Sequence, residues 1–163
     1  MHPKRFASGL LSWICAEPQV RARSFEEAGY TECPFGVELW LPSGAVVYLQ
    51  AVGADAPGHR PGTPLPPVHG DPLPVSKPVA LPGEGPTEMA AVERWLRWRI
   101  TTGQSAEISR VSLFQNRNGR NAVPYGLALT FHSGARVWLY FRHATPAGRQ
   151  PGTGPLWRDL ASV

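Results

Sequence analysis

The chain of 163 residues is long enough for one ordinary domain or two very small ones, and its 42% hydrophobic residues exclude wholesale disorder. No apolar run approaches the roughly 20 residues of a membrane span, so we expect a cytoplasmic protein without membrane contact. The net charge of +4 is unevenly placed: residues 1–55 and 56–88 carry −2 and −1, whereas residues 89–163 carry ten Arg against three acids, for +7.

A helix and three strands are predicted in the first third of the chain. Apolar residues at helical spacing between positions 6 and 14 predict a helix that ends before Pro18. A strand is expected at 20–25. Period-two alternation over 37–41 and 47–51, with a turn between the two runs, predicts a β-hairpin with one apolar face.

The middle of the chain is dominated by proline and glycine. Residues 56–86 contain ten Pro and five Gly among 31 residues. This composition excludes a helix or an interior strand and favours an extended tether of polyproline II character. Docking of a proline-recognition module on Pro64–Pro67 is the alternative role of this segment.

The same order of elements is predicted after the tether. Thr87 is expected to N-cap a helix over 89–100, which Gly103 ends. A strand at 109–114 and a hairpin within 127–141 follow.

An internal repeat underlies this order, because residues 34–63 recur without a gap at 124–153 with 13 identities in 30 positions. We therefore predict an α+β fold that is a tandem duplication of a helix–three-strand (αβββ) unit. Two such copies can pack face to face or pair edge strands into a single six-stranded sheet. We expect a pseudo-twofold antiparallel sheet covered by two helices. The predicted boundaries are a first αβββ repeat at 1–55, a Pro/Gly-rich linker at 56–86, and a second, basic repeat with a C-terminal tail at 87–163, with both repeats packed as one domain.

The turn between the first two strands of the second copy carries an Asn-Gly pair between two arginines, Arg117 and Arg120. Asn-Gly is a strong hairpin signal, because both central positions of a type I′ turn need positive φ. An Arg-tipped hairpin suits a nucleic-acid groove or a pair of phosphates. An ordinary solvated hairpin tip is the alternative.

The last strand of the second copy presents Arg136, Trp138, Tyr140 and Arg142 at alternate positions, where the first copy has no cation. Aromatic planes stack on bases and guanidinium groups hold phosphates, so this row is typical of single-strand platforms. The alternative is that both aromatic rings are core residues under a helix.

The predicted second helix carries Arg94, Arg97 and Arg99 away from its apolar face. These residues either extend a phosphate-binding stripe or form an ordinary solvated basic face.

No catalytic pattern is present. The five His are scattered, and the chain has no GxGxxG, GxxxxGK[ST], HExxH or GxSxG motif. Cys15 and Cys33 have no metal-ligand spacing and are either unremarkable thiols or a disulfide. We therefore predict no enzymatic activity, no metal and no cofactor.

One short stretch resembles a known family. It comprises Pro124-Tyr125, Thr130-Phe131-His132-Ser133-Gly134, Trp138 and Phe141. It is similar to the first hairpin of the SsgA-like division proteins of filamentous actinobacteria. The strand and long helix that follow in that family are missing here, and the internal repeat accounts for the same residues. No functional residue is carried over from the resemblance.

We expect a non-enzymatic nucleic-acid-binding protein, with DNA favoured over RNA as its partner. Contact would be made by the second repeat through Arg117, Arg120, Arg136, Trp138, Tyr140, Arg142, Arg94 and Arg97. The alternative is a protein-interaction or assembly module, in which the acidic first repeat of one chain meets the basic second repeat of another in a homo-oligomer or with a protein partner.

Overall fold

A computed structural model describes residues 3–30, 35–59, 66–116 and 123–148. The elements, in chain order, are helix α1 (Pro3–Cys15), strands β1 (Arg21–Ser24), β2 (Gly36–Trp40) and β3 (Val46–Ala54), helix α2 (Met89–Thr102), strand β4 (Ile108–Leu113), a 3-10 turn (Phe114–Asn116), and strands β5 (Gly126–Phe131) and β6 (Arg136–Thr145).

All six strands form one antiparallel sheet in the order β1-β2-β3-β6-β5-β4. The central pair is β3 with β6, so the last strand before the proline-rich segment meets the last described strand in the middle of the sheet. The prediction of an α+β chain with a six-stranded antiparallel sheet and two helices is confirmed.

Both helices lie on one face of the sheet, because their apolar side chains share a single buried cluster with the alternate residues of the strands. Phe6 and Leu10 of α1 and Leu96 of α2 are fully buried there, together with Leu49 of β3 and Leu139 of β6. The intervening strand residues point to the other side, which we call the open face. Among the described residues, neither helix covers the open face.

The first half of the open face, formed by β1, β2 and β3, is partly covered by side chains of the segment that follows β1. Phe25 and Tyr30, which follow β1, pack with Val46 and Tyr48 of β3 in a second, smaller cluster. All but the last residue of β2 are consequently buried, on both sides of the sheet. The second half of the open face has no such cluster among the described residues.

Residues 66–86, which we call the strap, contain neither helix nor strand, as their proline content predicts. The strap is nevertheless docked on the domain. The backbone N–H of Ser76 donates to Oγ1 of Thr101 over 3.0 Å, and Nε2 of Gln104 donates to the carbonyl oxygen of Leu73 over 3.0 Å. Leu73 and Val79 also pack against the main core. The described part of this segment is therefore held along α2.

The beginning of α2 differs from the prediction. The N-cap is Glu88, without a side-chain capping bond, so the prediction of Thr87 was wrong. Thr87 is fully buried, and its Oγ1 lies 3.0 Å from Oγ of Ser43 in the β2–β3 turn. This tertiary hydrogen bond takes the hydroxyl that would otherwise have capped the helix. Gly103 ends the helix as predicted.

Within the described ranges, neither helix has the length and apolar character that crossing a membrane would require.

Candidate nucleic-acid interface

Three of the four predicted residues of β6 lie in a row on the open face. Arg136 is exposed, and Trp138 and Tyr140 are half-buried. The alternating residues Val137 and Leu139 belong to the core beneath the helices. The two aromatic rings are therefore on the side of the sheet opposite to α1 and α2. The ring of Tyr140 packs edge-on against Phe114, with their centroids 5.6 Å apart.

Arg142 occupies a bulge in the centre of the sheet. The register between β3 and β6 shifts there, so that Tyr48 pairs with His143 while Leu49 pairs with Phe141, and Arg142 is the extra residue. Arg142 is half-buried, and the rings of His143 and Tyr48 lie 5.7 Å apart. The bulge interrupts the regular spacing that the sequence predicted for the fourth member of the row.

A groove with a volume of about 580 Å³ lies over the second half of the sheet; we call it the arginine groove. Its lining includes Arg97, Arg110 and Arg136 together with Trp138. The groove also contains the neutral polar side chains of Ser112, Asn116 and Thr130. None of the described residues that line it is acidic. The arrangement suits an anionic ligand with an aromatic or other planar part.

Arg110 belongs to this site, although the sequence analysis did not select it. The register places Arg110 of β4 opposite Thr130 of β5, and Thr130 opposite Arg136 of β6. Since neighbouring strands are about 4.8 Å apart, the backbones at the two arginines are separated by about 10 Å. Two guanidinium groups can therefore reach neighbouring phosphates on one strand.

The next row along the sheet explains why this half of the open face stays basic. It consists of Ser112, Ala128 and Trp138 on β4, β5 and β6. None of these three side chains bears a charge, so nothing in the row neutralises the arginines beside it.

The row of the first half that corresponds to Ser112, Ala128 and Trp138 contains an internal ion pair. It consists of Arg23, Glu38 and Tyr48 on β1, β2 and β3. Glu38 is buried, pairs with Arg23, and accepts a hydrogen bond of 2.9 Å from the hydroxyl of Tyr30. The hydrogen bond to Glu38 raises the pKa of Arg23, and the guanidinium lies 5.1 Å from the centroid of Trp40. Arg23 is thus neutralised within the first half, whereas Arg21 on the same strand is exposed.

A second groove of about 650 Å³ adjoins the arginine groove on the side of α2; we call it the strap groove. It is lined by Arg94 and Arg97 of α2 and by Lys77 of the strap. Both arginines are exposed, as the sequence predicted for a basic helix face. The two grooves have Arg97, Leu113 and Asn116 in common.

Arg99 has a different role from its neighbours on α2. It is almost fully buried, and its Nε and Nη2 donate to the carbonyl oxygen of Trp13 over 2.9 and 2.7 Å. The prediction that Arg99 belongs to an exposed basic face was therefore wrong. This side chain joins the C-terminal end of α1 to α2.

Arg117 and Arg120 lie outside the described residues. Asn116, which directly precedes Arg117 in the sequence, is exposed and lines both grooves.

Beneath this surface, α2 carries a buried carboxyl group, that of Glu93. Its Oε1 accepts a hydrogen bond of 2.6 Å from the backbone N–H of Gly126 at the start of β5. Burial raises the pKa of Glu93 to about 7, against the opposing effect of backbone donors at Gly126, Gln115 and Phe114. Glu93 ties the helix to the strand and turn that border the arginine groove.

No cluster of three or more potential metal ligands occurs among the described residues.

Comparison with known proteins identifies no relative, since no protein-family model, curated protein or solved structure matches this chain.

Proposed function

We propose that this chain is a non-enzymatic nucleic-acid-binding protein that contacts its partner through the arginine groove. The observation that carries the proposal is the set of three arginines, Arg97, Arg110 and Arg136, beside the accessible ring of Trp138. No described residue forms an ion pair with any of these arginines. Their positive charge is therefore available to an external anion.

The chemistry of the groove favours a nucleic acid over a simple anion. Guanidinium groups bind phosphate oxygens in a bidentate manner, and a polymer of phosphates can engage several of them at once. Stacking of a base on an aromatic side chain contributes about 1–3 kcal/mol per base and requires no particular sequence. Trp138 offers such a plane within the basic lining.

The proposal extends to the origin of the asymmetry, which we ascribe to a tandem duplication of the αβββ unit. The 13 identities between 34–63 and 124–153 support it, as does a strand order that runs symmetrically outwards from β3 and β6. In this view Glu38 and Ala128 occupy the same position of the two units, each opposite an aromatic residue. Arg23, the partner of Glu38, aligns with Ser112, so this row is neutral in both units. The additional positive charge on the open face of the second unit comes from Arg136, which aligns with Val46.

The alternative, assembly through an acidic first repeat, receives less support. Among the described acids of that region, Glu26 pairs with Lys4 at 3.4 Å and Glu17 lies 3.9 Å from Arg99. Glu38 is buried against its own arginine. These contacts reduce the acidic surface that a second copy would need.

The test is a fluorescence-anisotropy titration with labelled single- and double-stranded DNA and RNA at low salt. The double variant Arg110→Glu/Arg136→Glu is expected to weaken binding at least tenfold, because it replaces two phosphate contacts by repulsion. Arg21→Glu is the matched control: Arg21 is an exposed arginine on the opposite edge strand, β1. Each lost contact should also lower the slope of log K against log salt by about 0.7–0.9.

Absence of binding by the unmodified protein at low salt contradicts the proposal. An equal loss in Arg21→Glu also contradicts it, because the attraction would then be a property of net charge alone. Oligomers in sedimentation that the double variant abolishes would favour the assembly alternative.

A further inference from the structure

The arginine groove and the strap groove meet at the edge of the sheet. The arginine groove includes Thr130 and Trp138, which belong to the open face. The strap groove includes Arg94 of α2 and residues 75–77 and 79 of the strap, which belong to the helix side. Arg97 lines both grooves. Among the described strands, β4 pairs with β5 alone. The combined surface therefore passes around the outer edge of β4.

Both sides of this edge have the same charge. Lys77, Arg94 and Arg97 line the strap groove, and Arg97, Arg110 and Arg136 line the arginine groove. No described lining residue of either groove is acidic, and none of the five cations forms an ion pair with a described residue. An anionic polymer would therefore meet uninterrupted positive charge from one face of the domain to the other.

We infer that the two grooves form one continuous track for single-stranded nucleic acid, which crosses the β4 edge and engages Lys77 of the strap. The inference rests on the proposed function and narrows its substrate class. A nucleic-acid duplex has a persistence length of about 150 base pairs, so it is too stiff to bend around the edge of strand β4. A single strand rotates freely about its backbone bonds and can follow such a turn.

The strap is in this view a wall of the binding site as well as a connection. Ser76 fixes it beside the groove, because its backbone N–H and its hydroxyl both lie 3.0 Å from Oγ1 of Thr101. Val79 adds an apolar anchor in the core. Lys77 lies between these two attachments and lines the groove. Lys77 therefore lines the same groove as Arg94 and Arg97.

Oligonucleotide length is the variable that tests a track of two grooves. Labelled oligothymidylates of increasing length are titrated into the full chain by anisotropy at fixed salt. A strand of about four nucleotides, the lower end of the site sizes of single-strand modules, should occupy one groove. Strands of about twelve should bind at least tenfold more tightly, because they reach both grooves.

The variant Lys77→Glu/Arg94→Glu separates this inference from the proposed function. It should weaken binding of the long strand about tenfold and of the short strand much less, since the arginine groove is intact. The control is again Arg21→Glu, and circular dichroism melting confirms that each variant is folded. Arg110→Glu/Arg136→Glu should weaken binding of strands of both lengths.

Three results would overturn the inference. The first is a duplex of equal length that binds as tightly as the single strand at the same salt. The second is a Lys77→Glu/Arg94→Glu protein that behaves like the Arg21→Glu control with the long strand, while Arg110→Glu/Arg136→Glu still loses binding. The third is a polyglutamate peptide of matched charge that competes as well as the oligonucleotide, which would point to an acidic protein partner.

Discussion

The carboxyl group of Glu93 should make the stability of the fold depend on pH near neutrality. Burial raises its pKa from 4.5 to about 7 in the folded protein. The folded state thus binds a proton more tightly than the unfolded chain does. The stabilisation from this proton is complete below pH 4.5 and is lost as the pH rises through about 7. The difference between the two pKa values corresponds to roughly 3 kcal/mol.

The substitution Glu93→Gln removes the titrating proton and keeps an oxygen that can accept from the N–H of Gly126. Urea denaturation of both proteins between pH 4.5 and 8.5 gives the free energy of unfolding at each pH. The unmodified protein should lose up to roughly 3 kcal/mol relative to the variant over this range. The comparison is made between the two proteins so that any pH dependence from groups other than Glu93 is common to both curves and cancels.

Glu84→Gln serves as the control, since Glu84 is an exposed glutamate of the strap. Its pH curve should run parallel to that of the unmodified protein. Parallel curves for Glu93→Gln as well would refute the reasoning, because the buried carboxyl would then titrate alike in the folded and unfolded states. A curve of opposite sign would show that the backbone donors outweigh burial.

Three further substitutions test the packing that supports the site. Arg99→Lys should cost about 1–2 kcal/mol in urea denaturation, because one ammonium cannot replace the paired donors to the carbonyl at the end of α1; an unchanged midpoint would contradict this. Gly126→Ala should cost about 2 kcal/mol or more, since φ is 152° and a Cβ would overlap the carbonyl oxygen of Leu139. Gly83→Ala is the control for this substitution: Gly83 has open space around it, so the change should be neutral in urea denaturation. Glu38→Ala should cost about 2 kcal/mol by leaving Arg23 and the half-buried hydroxyl of Tyr30 without their acceptor; full stability would mean that solvent replaces the carboxylate as acceptor.

The strands were predictable from the sequence because their signal is local. Apolar residues alternate over 37–41 and 127–131, and each run ends in a turn, so the pattern specifies both the strand and its buried side. The order of the six strands was not predictable in this way, because the pairing of β3 with β6 joins residues that are far apart in the chain. What could not be read locally were contacts between distant residues. Thr87 has a good capping residue type, but its partner Ser43 lies 44 positions away.

The candidate site was only partly predictable for the same reason. Trp138 and Arg136 were selected because a row of alternating residues shows in the sequence of one strand. Arg110 is the only arginine of β4, so its strand shows no basic row in the sequence. Its proximity to Arg136 follows from the pairing of both residues with Thr130 of β5. Lys77 lies in a segment that its composition predicts to be a free tether, and its position depends on the hydrogen bonds that Thr101 offers to the strap.

The central β3–β6 ladder has a consequence for how the protein folds. Its nine paired positions join residues 46–54 to residues 136–145, which are about 90 positions apart in the chain. Contacts of such long sequence separation form late and slow the search for the native state, because a large loop must close before any pairing energy is gained. Each half alone would expose one side of this ladder as an unpaired, apolar strand edge. We therefore expect the two halves to unfold together in a single cooperative transition. In the folding direction, the pairing of β3 with β6 should be the slow step.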